Sequence, residues 1–329
     1  MVDMKEFLKL IRWQNLLVVI FTMVLMRYAV LAPLVGKVGV VMISGGEETA
    51  MTLKFPWYYF AMLVAATVLI TAGGYVINDY FDIKTDLINK GKVIVGTKIP
   101  RRKAIMWHSV LNIAGVLMGF FISYKSGYIW MGILYIIVSG LLYFYSASYK
   151  RQFLIGNIIV AFLTAMVPML VVLYEWPALY KYYAENAVVL PPINFITYWI
   201  GGFALFAFLT NLIREIIKDI EDFEGDIAYG RNTVPIVIGV LSAKIVSVAI
   251  IAVTIILLYL IWYFYINDTI TLIYISAAIV FPLLIVIFKV LKSTEKSQLH
   301  NASSLMKIVM LTGLLYSVVV KVILTWNLF

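Results

Sequence analysis

The sequence predicts an all-α integral membrane protein with nine transmembrane helices. Hydrophobic residues occupy 63% of its 329 positions and charged residues only 13%, whereas soluble domains are about 45–50% apolar and about 25% charged. The mean hydropathy is +0.98, and the apolar runs continue for about 20 residues, which is the length that a helix needs to cross a bilayer. A transmembrane barrel would instead show shorter segments of alternating hydropathy.

Nine apolar runs are long enough to span a membrane. They lie near residues 14–35, 58–78, 104–122, 128–145, 154–174, 192–214, 243–265, 269–290 and 304–326. The first run is too long for the core of a signal peptide and has no convincing cleavage site after it, so we expect it to remain as a helix. No soluble domain interrupts the series, and residues 1–329 are expected to form a single membrane-embedded domain.

Four longer stretches separate these runs. They are residues 36–57, 79–103, 175–191 and 215–242. The first and third are predicted to be covering loops on one side of the membrane. The second and fourth carry acidic and basic residues on the other side.

Basic residues are distributed unequally between the two sides. If the N-terminus is cytoplasmic, 19 Lys and Arg residues lie in inside segments and only four lie in outside loops. Short loops rich in Lys and Arg stay on the cytoplasmic side of a membrane. We therefore expect a multi-pass protein of the inner (plasma) membrane, with a cytoplasmic N-terminus and the C-terminus outside.

Several functional classes are disfavoured by composition. The net charge of +9 does not indicate nucleic-acid binding, because the basic residues follow the membrane boundaries, where they suit anionic lipid or a diphosphate. The absence of cysteine excludes disulfides, thiolate metal sites and a cysteine nucleophile. His108 and His300 are far apart in sequence and are expected to be packing or interfacial residues. Nothing indicates an obligate protein partner.

An aspartate pattern with the spacing D-x2-D-x3-D occurs twice. The copies are Asp79, Asp82 and Asp86 after the second run, and Asp219, Asp222 and Asp226 after the sixth run. On a helix, positions i, i+3 and i+7 share one face, so each copy presents carboxylates that repel one another unless a cation joins them. A pseudo-symmetric bundle would bring both copies to one mouth of a central cavity. Mg2+ prefers oxygen ligands and is commonly coordinated by protein carboxylates together with substrate phosphates. The repeat therefore predicts that carboxylates from both motifs bind a Mg2+-bound diphosphate.

A substrate of this kind also has to suit the membrane. If the rest of the diphosphate substrate is an isoprenoid, its apolar tail belongs in the bilayer. Departure of diphosphate would leave an allylic cation, from which the protein has to exclude water until the correct acceptor reacts.

The motifs resemble those of a known family. N-D-Y-F-D-I-K-T-D at residues 78–86 is similar to the N-D-x-x-D-x-x-x-D signature of UbiA-type intramembrane prenyltransferases, and the second motif with its following Gly230, Arg231 and Thr233 resembles that family's second aspartate-rich motif. The Y-S-x-x-x-K-R…G-N segment at 145–157 and the R-x-x-N segment at 12–15 are also similar. The family fold is nine helices around a central cavity, which agrees with the helix count.

The resemblance implies Mg2+-dependent transfer of a prenyl group from a prenyl diphosphate to a lipophilic acceptor. It implies that all six motif aspartates are catalytic residues that bind Mg2+ and thereby the diphosphate. The side chains implied to bind substrate are Asn15, Asn78, Lys92, Tyr145, Lys150, Arg151, Lys218 and Arg231.

One segment departs from the family pattern. Many members carry an R-P-x-R-P-L type stretch after the first motif, whereas residues 89–96 here contain no proline, and Lys90 and Lys92 supply point charges in place of bidentate arginines. The K-V-I-V-G stretch at 92–96 is similar to the geranylgeranylglycerol-phosphate geranylgeranyltransferase-like branch, whose acceptor is a glycerol-phosphate ether lipid. The basic cluster formed by Lys98, Arg101, Arg102 and Lys103 would then hold the acceptor phosphate or contact anionic lipid.

Three other functions remain open at this point. One is an aromatic-acceptor prenyltransferase of a quinone pathway, and another is a UbiA-type terpene cyclase that captures the cation internally. The third is a cation-coupled membrane transporter, although transporters place functional charge near the middle of the bilayer, whereas these acids lie at one face.

Overall fold

The computed structural model describes residues 4–44, 46, 48–91 and 93–326 and confirms the all-helical membrane architecture. Within these residues nine helices are long and apolar enough to cross a membrane. They are Trp13–Gly36, Trp57–Phe81, Arg101–Lys125, Ile129–Arg151, Ile155–Asn186, Phe195–Glu221, Val240–Ile266, Thr269–Lys292 and Lys296–Trp326, here called the first to ninth spans. The predicted number is therefore correct.

The fifth span corrects one prediction. Residues 175–191 were expected to be a covering loop, but the helix continues to Asn186 and carries Pro177 within it. Leu179 and Tyr183 are buried one turn apart and prolong the inward face of the helix. Glu175, the first residue after the predicted span, is buried and paired inside the bundle.

The second and sixth spans are the centres of the two halves of the bundle. The second span packs against the first, third and fourth spans, and the sixth packs against the fifth, seventh and ninth. Close approach depends on small residues, because a Cβ at Gly115 of the third span would lie 2.6 Å from Ile70 Cγ1 of the second. The two motif-bearing helices are thus held by neighbours on several sides.

Both central spans end in the same way. The second span stops at Phe81, Asp82 adopts φ −90° and ψ 1°, and a short helix, Ile83–Lys90, follows. The sixth span stops at Glu221, Asp222 adopts φ −94° and ψ 9°, and a short helix, Phe223–Ala228, follows. We call these short helices the first and second motif helices. The repeated aspartate pattern therefore corresponds to a repeated backbone structure.

The opposite end of the bundle is fastened by a buried ion pair. Arg27, in a π-helical segment of the first span, lies 3.4 Å from Glu175 Oε2 and also donates to the Phe55 carbonyl. The other Glu175 oxygen accepts the backbone N–H groups of Lys54 at 2.6 Å and Phe55 at 2.9 Å. A two-stranded antiparallel sheet, Gly39–Val41 with Glu48–Ala50, lies in the same connection. The pair joins the first span, this connection and the fifth span.

Candidate active site

A polar cavity of about 370 Å3 opens at the end of the bundle that carries the motifs. All six motif aspartates line it, as do five of the residues that the sequence implicated in substrate binding. Those five are Asn78, Tyr145, Lys150, Lys218 and Arg231. The structure therefore brings the two halves of the repeat to one site, as the sequence predicts.

The first motif is held by basic residues from three other segments. Asp79 accepts a hydrogen bond from Arg12 at 2.7 Å. Asp82 Oδ1 lies 2.7 Å from Lys150 Nζ and 2.7 Å from Arg231 Nη2. Lys150 also donates to Asn78 at 3.1 Å. Two of the three carboxylates of this motif, Asp79 and Asp82, are thus already directed toward cationic partners.

The second motif shares one of those partners. Arg231 Nη1 lies 3.2 Å from Asp226, so a single guanidinium joins the two motifs. Asp219 accepts a hydrogen bond from Asn157 of the fifth span at 2.8 Å. The motif helices also touch directly, since a Cβ at Gly225 would lie 2.6 Å from Asn89 Cγ.

Burial and charge set the protonation of these groups. Burial alone would raise the pKa of Asp82, but the charges of Lys150 and Arg231 outweigh it and hold this pKa below its usual value. Burial raises the pKa of Asp226 to about 6, against the opposing effect of Arg231. Burial alone would lower the pKa of Arg231, but the negative charges of Asp82 and Asp226 outweigh burial and raise this pKa above its usual value. The site therefore contains one strongly ionised carboxylate and one that a nearby cation would help to ionise.

The donor atoms fit a magnesium ion that is shared with a substrate. Within the described residues no three Asp, Glu or His side chains form a closed metal cage. Mg2+ is commonly bound by one or two carboxylates together with waters and substrate phosphates, so an open arrangement is suitable. Oxygen donors line both sides of the cavity, and because burial raises the pKa of Asp226, a bound cation would favour its ionised form.

Two of the predicted residues that the structure describes do not join the cavity. Asn15 is exposed on the first turn of the first span, because Arg12 adopts a left-handed conformation (φ 51°) and directs its own side chain to Asp79. Arg151 is exposed, since Lys150 takes the inward position of their short 3-10 helix. The prediction for Lys92 lies outside the described residues.

Some lining residues were not assigned to the site from sequence. They are Lys9, Arg12, Thr85, Asn89, Val93, Ile94, Gly156, Asn157, Arg214 and Glu215. Arg12 and Asn157 do belong to the segments that carry the family resemblance, and Glu215 precedes Asp219 by one helical turn, so these three had a visible signal. Thr85, whose hydroxyl accepts from Arg231 at 2.8 Å, had none.

Comparison with known proteins decides the family. The model of the UbiA prenyltransferase family matches residues 39–311. The chain belongs to the UbiA prenyltransferase family. A relative named digeranylgeranylglyceryl phosphate synthase, from Thermococcus kodakarensis, is 32% identical over 281 residues, which cover 84% of this chain and 88% of that relative. The predicted family and the predicted class of enzyme, a prenyltransferase, are confirmed.

Solved structures agree on the fold of this UbiA member. A structure described in a study of digeranylgeranylglyceryl phosphate synthase in membranes superposes with a TM-score of 0.60 at 24% identity and covers 97% of this chain and 99% of its own. A UbiA homologue from Archaeoglobus fulgidus, bound to DMAPP and Mg2+, superposes with a TM-score of 0.51 at 16% identity, over 95% of this chain and 99% of its own. The multi-pass membrane fold is therefore established.

Proposed function

We propose that this enzyme transfers a geranylgeranyl group from its diphosphate to a hydroxyl oxygen of a glycerol-phosphate ether lipid. The observation that carries the proposal is the joining of both aspartate motifs by Arg231 in a single polar cavity. The acceptor class is supported by the relative from Thermococcus kodakarensis, whose name specifies digeranylgeranylglyceryl phosphate as its product.

Basic side chains of the cavity would bind the diphosphate. Lys150 and Arg231 already converge on one oxygen of Asp82, so their N–H groups point to a common position that an anionic oxygen can share. Arg231 presents a planar fork that suits phosphate oxygens, whereas Lys150 supplies a compact charge. Arg12, held by Asp79, adds a third cation on the other side of the first motif.

The six motif aspartates would hold Mg2+ together with the diphosphate. When bound, the metal neutralises charge that develops on the departing diphosphate. The protein's own contribution is to fix the reacting carbon beside the acceptor and to exclude water from the allylic cation. The bond between C1 and the diphosphate oxygen breaks with its electron pair leaving on diphosphate, the acceptor oxygen bonds to C1, and the hydroxyl proton passes to the released diphosphate.

The membrane setting is also a proposal. We infer that the motif end faces the cytoplasm, because 19 basic residues lie on that side and four on the other. In this orientation the diphosphate reaches the cavity from water and the apolar tail lies among the spans. The chain acts as one membrane-embedded domain in the inner membrane, and its sequence gives no sign of an obligate protein partner.

The test is product analysis with purified protein in lipid nanodiscs. Labelled geranylgeranyl diphosphate, geranylgeranylglyceryl phosphate and Mg2+ should give digeranylgeranylglyceryl phosphate by mass spectrometry. Excess chelator should abolish the product and added Mg2+ or Mn2+ should restore it. A cyclic hydrocarbon formed without acceptor would indicate a terpene cyclase, and prenylation of an aromatic acid alone would indicate the quinone-type reaction. Substrate uptake into vesicles without turnover would indicate a transporter.

A further inference from the structure

The cavity contains a second group of basic residues, apart from the pair that contacts Asp82. Arg214 and Lys218 lie one turn apart on the sixth span, and both line the cavity. Arg214 Nη1 lies 2.6 Å from Glu215 Oε1, and Lys218 Nζ lies 3.4 Å from Glu215 Oε2. One carboxylate is thus shared by two cations.

A third cation comes from the ninth span. Lys307 does not itself line the cavity, but its ammonium is close enough to be repelled by the charges of Arg214 and Lys218 and attracted by that of Glu221. The ninth span packs along the sixth, so this arrangement follows from the helix packing. Glu221 is engaged by His300 at 2.9 Å at the motif end of the same helix pair. We call Arg214, Lys218 and Lys307 the basic face.

The basic face has donor capacity that the described residues do not use. Arg214 Nε is buried and has no hydrogen-bond partner among them. Leaving a buried N–H of a charged group without a partner is costly, so a ligand that supplies an acceptor there is favoured. Arg214 and Lys218 share the single carboxylate of Glu215, whereas Lys150 and Arg231 are matched by Asp82 and Asp226. The shared carboxylate and the unpaired N–H of Arg214 both suit an anion.

Arg214 and Lys218 also lie deeper in the membrane than Asp222, the middle aspartate of the second motif. Lys218 and Arg214 precede Asp222 by four and eight residues, which corresponds to about 6 and 12 Å along the helix axis. Lys307 is exposed on a helix that spans the membrane. A headgroup attached to a lipid can reach this depth from the bilayer, while the diphosphate site stays at the mouth.

We propose that Arg214, Lys218 and Lys307 bind the phosphate monoester of the lipid acceptor. This inference rests on the proposed function and assigns the second substrate to a defined part of the same cavity. The guanidinium of Arg214 offers a planar set of donors, and the two lysines add charge for a dianion. With the acceptor phosphate on the basic face, its glycerol hydroxyl is placed on the same side of the cavity as Asp219.

The alternative cluster considered from sequence is placed elsewhere. Lys98, Arg101, Arg102 and Lys103 are all exposed, and none of them lines the cavity. They lie at the start of the third span, where contact with anionic lipid headgroups is the ordinary role of such residues. Arg214 and Lys218, which do line the cavity, replace this cluster as the centre of the candidate site for the acceptor phosphate, with Lys307 beside them on the ninth span.

The inference predicts that acceptor binding and donor binding respond differently to substitution. Arg214→Gln and Lys307→Gln should each raise the KM for geranylgeranylglyceryl phosphate at least tenfold and leave the KM for geranylgeranyl diphosphate within twofold. Lys98→Gln, which removes one charge outside the cavity, is the matched control and should change neither value. Geranylgeranylglycerol, which lacks the phosphate, should be a poor acceptor for the wild type, and the variants should no longer discriminate between the two acceptors.

A binding measurement keeps this inference separate from the proposed function. Labelled geranylgeranylglyceryl phosphate, added without prenyl donor, should bind the wild type at least tenfold more tightly than either variant. If the wild type binds this lipid but forms no product, the proposed function fails and the inference stands. Equal binding of the lipids with and without phosphate by the wild type would overturn the inference.

Two further outcomes would also overturn it. One is a raised KM for the prenyl diphosphate in both variants with an unchanged KM for the acceptor, which would assign the basic face to the donor. The other is a variant effect seen only in nanodiscs that contain anionic phospholipid and absent in neutral lipid, which would assign the face to bulk lipid headgroups.

Discussion

Arg231 donates a hydrogen bond across 2.7 Å to Asp82, although 149 positions separate the two residues in the chain. Its other terminal nitrogen lies 3.2 Å from Asp226, so the guanidinium bridges the two aspartate motifs. In a bundle whose halves are separate in sequence, this bridge gives the active site its closed geometry before any substrate arrives.

Because both aspartate motifs line the cavity, we expect one aspartate from each motif to be equally important for turnover. Asp79→Asn and Asp222→Asn should each abolish turnover, because each removes a charged oxygen ligand while keeping the side-chain shape. Expression and folding should remain largely intact. Prenyl transfer by purified protein is the measurement, and Glu185→Gln, an exposed substitution at the opposite end of the fifth span, is the matched control. Full activity in either aspartate variant would remove that residue from the catalytic set.

The raised pKa of Asp226 predicts that activity falls below pH 7. Burial raises the pKa of this carboxyl to about 6, and a carboxyl must be ionised to bind a metal. At one pH unit below a pKa about a tenth of the group is ionised, so kcat/KM for the prenyl diphosphate should fall up to about tenfold from pH 7 to pH 5. A flat profile over this interval at fixed Mg2+ would contradict the prediction.

The raised pKa of Asp226 also predicts how the stability of the folded protein changes with pH. Since its pKa is higher in the folded state than the ordinary 3.8, its stabilising contribution is present below pH 4 and is lost as pH rises through 6. Asp226→Asn should therefore raise the Tm of the metal-free protein at pH 7 and have little effect near pH 4. A pKa rise from 3.8 to about 6 corresponds to about 3 kcal/mol at most. The pKa of Asp82 is lowered, so its contribution is lost only in stronger acid.

The contact between the motif helices can be tested by a rescue experiment. Gly225→Ala places a Cβ against the Asn89 side chain, where an ideal position lies 2.6 Å from Cγ. We expect the motif helices to separate and kcat to fall several-fold. Asn89→Ala in the same protein should restore most of the loss, because it removes the atoms that collide. Additive losses in the double variant would show that the contact does not position the site.

Breaking the ion pair between Arg27 and Glu175, far from the cavity, should lower stability without changing catalysis. Arg27→Met leaves Glu175 buried without its cationic partner, and breaking a buried pair from one side costs about 3–5 kcal/mol. The Tm should fall, while kcat and both KM values at low temperature stay near those of the wild type. Arg27→Met with Glu175→Gln should recover part of the Tm. A selective loss of kcat without a change in Tm would place the pair in the catalytic machinery instead.

The number of spans and the location of the motifs could be predicted because each depends on a strong local signal. An apolar run of sufficient length becomes a helix in lipid, whose backbone groups have no other partner. The fifth span shows the limit of this approach. Its predicted apolar run ends at residue 174, and only the distant partner Arg27 makes the continued helix with its buried Glu175 possible.

The composition of the site was only partly predictable for a similar reason. Repeated spacing identified the six aspartates, but it carries no information on which basic residue faces inward. Lys150 and Arg151 are adjacent in sequence, and the short 3-10 helix turns the first into the cavity and the second away. The left-handed backbone of Arg12, which replaces Asn15 at the site, likewise depends on how the chain enters the bundle.

The bridge formed by Arg231 has a consequence for selectivity among cellular anions. The N–H groups of Arg231 already bind the carboxylates of Asp82 and Asp226, so any phosphate compound that enters the cavity has to compete with them. A ligand that makes a single weak contact gains too little binding free energy to displace these carboxylates. A ligand that arrives with a divalent cation can displace them, because the cation binds the carboxylates while the ligand binds the guanidinium. Abundant metabolites such as free inorganic phosphate should therefore be poor inhibitors of this enzyme.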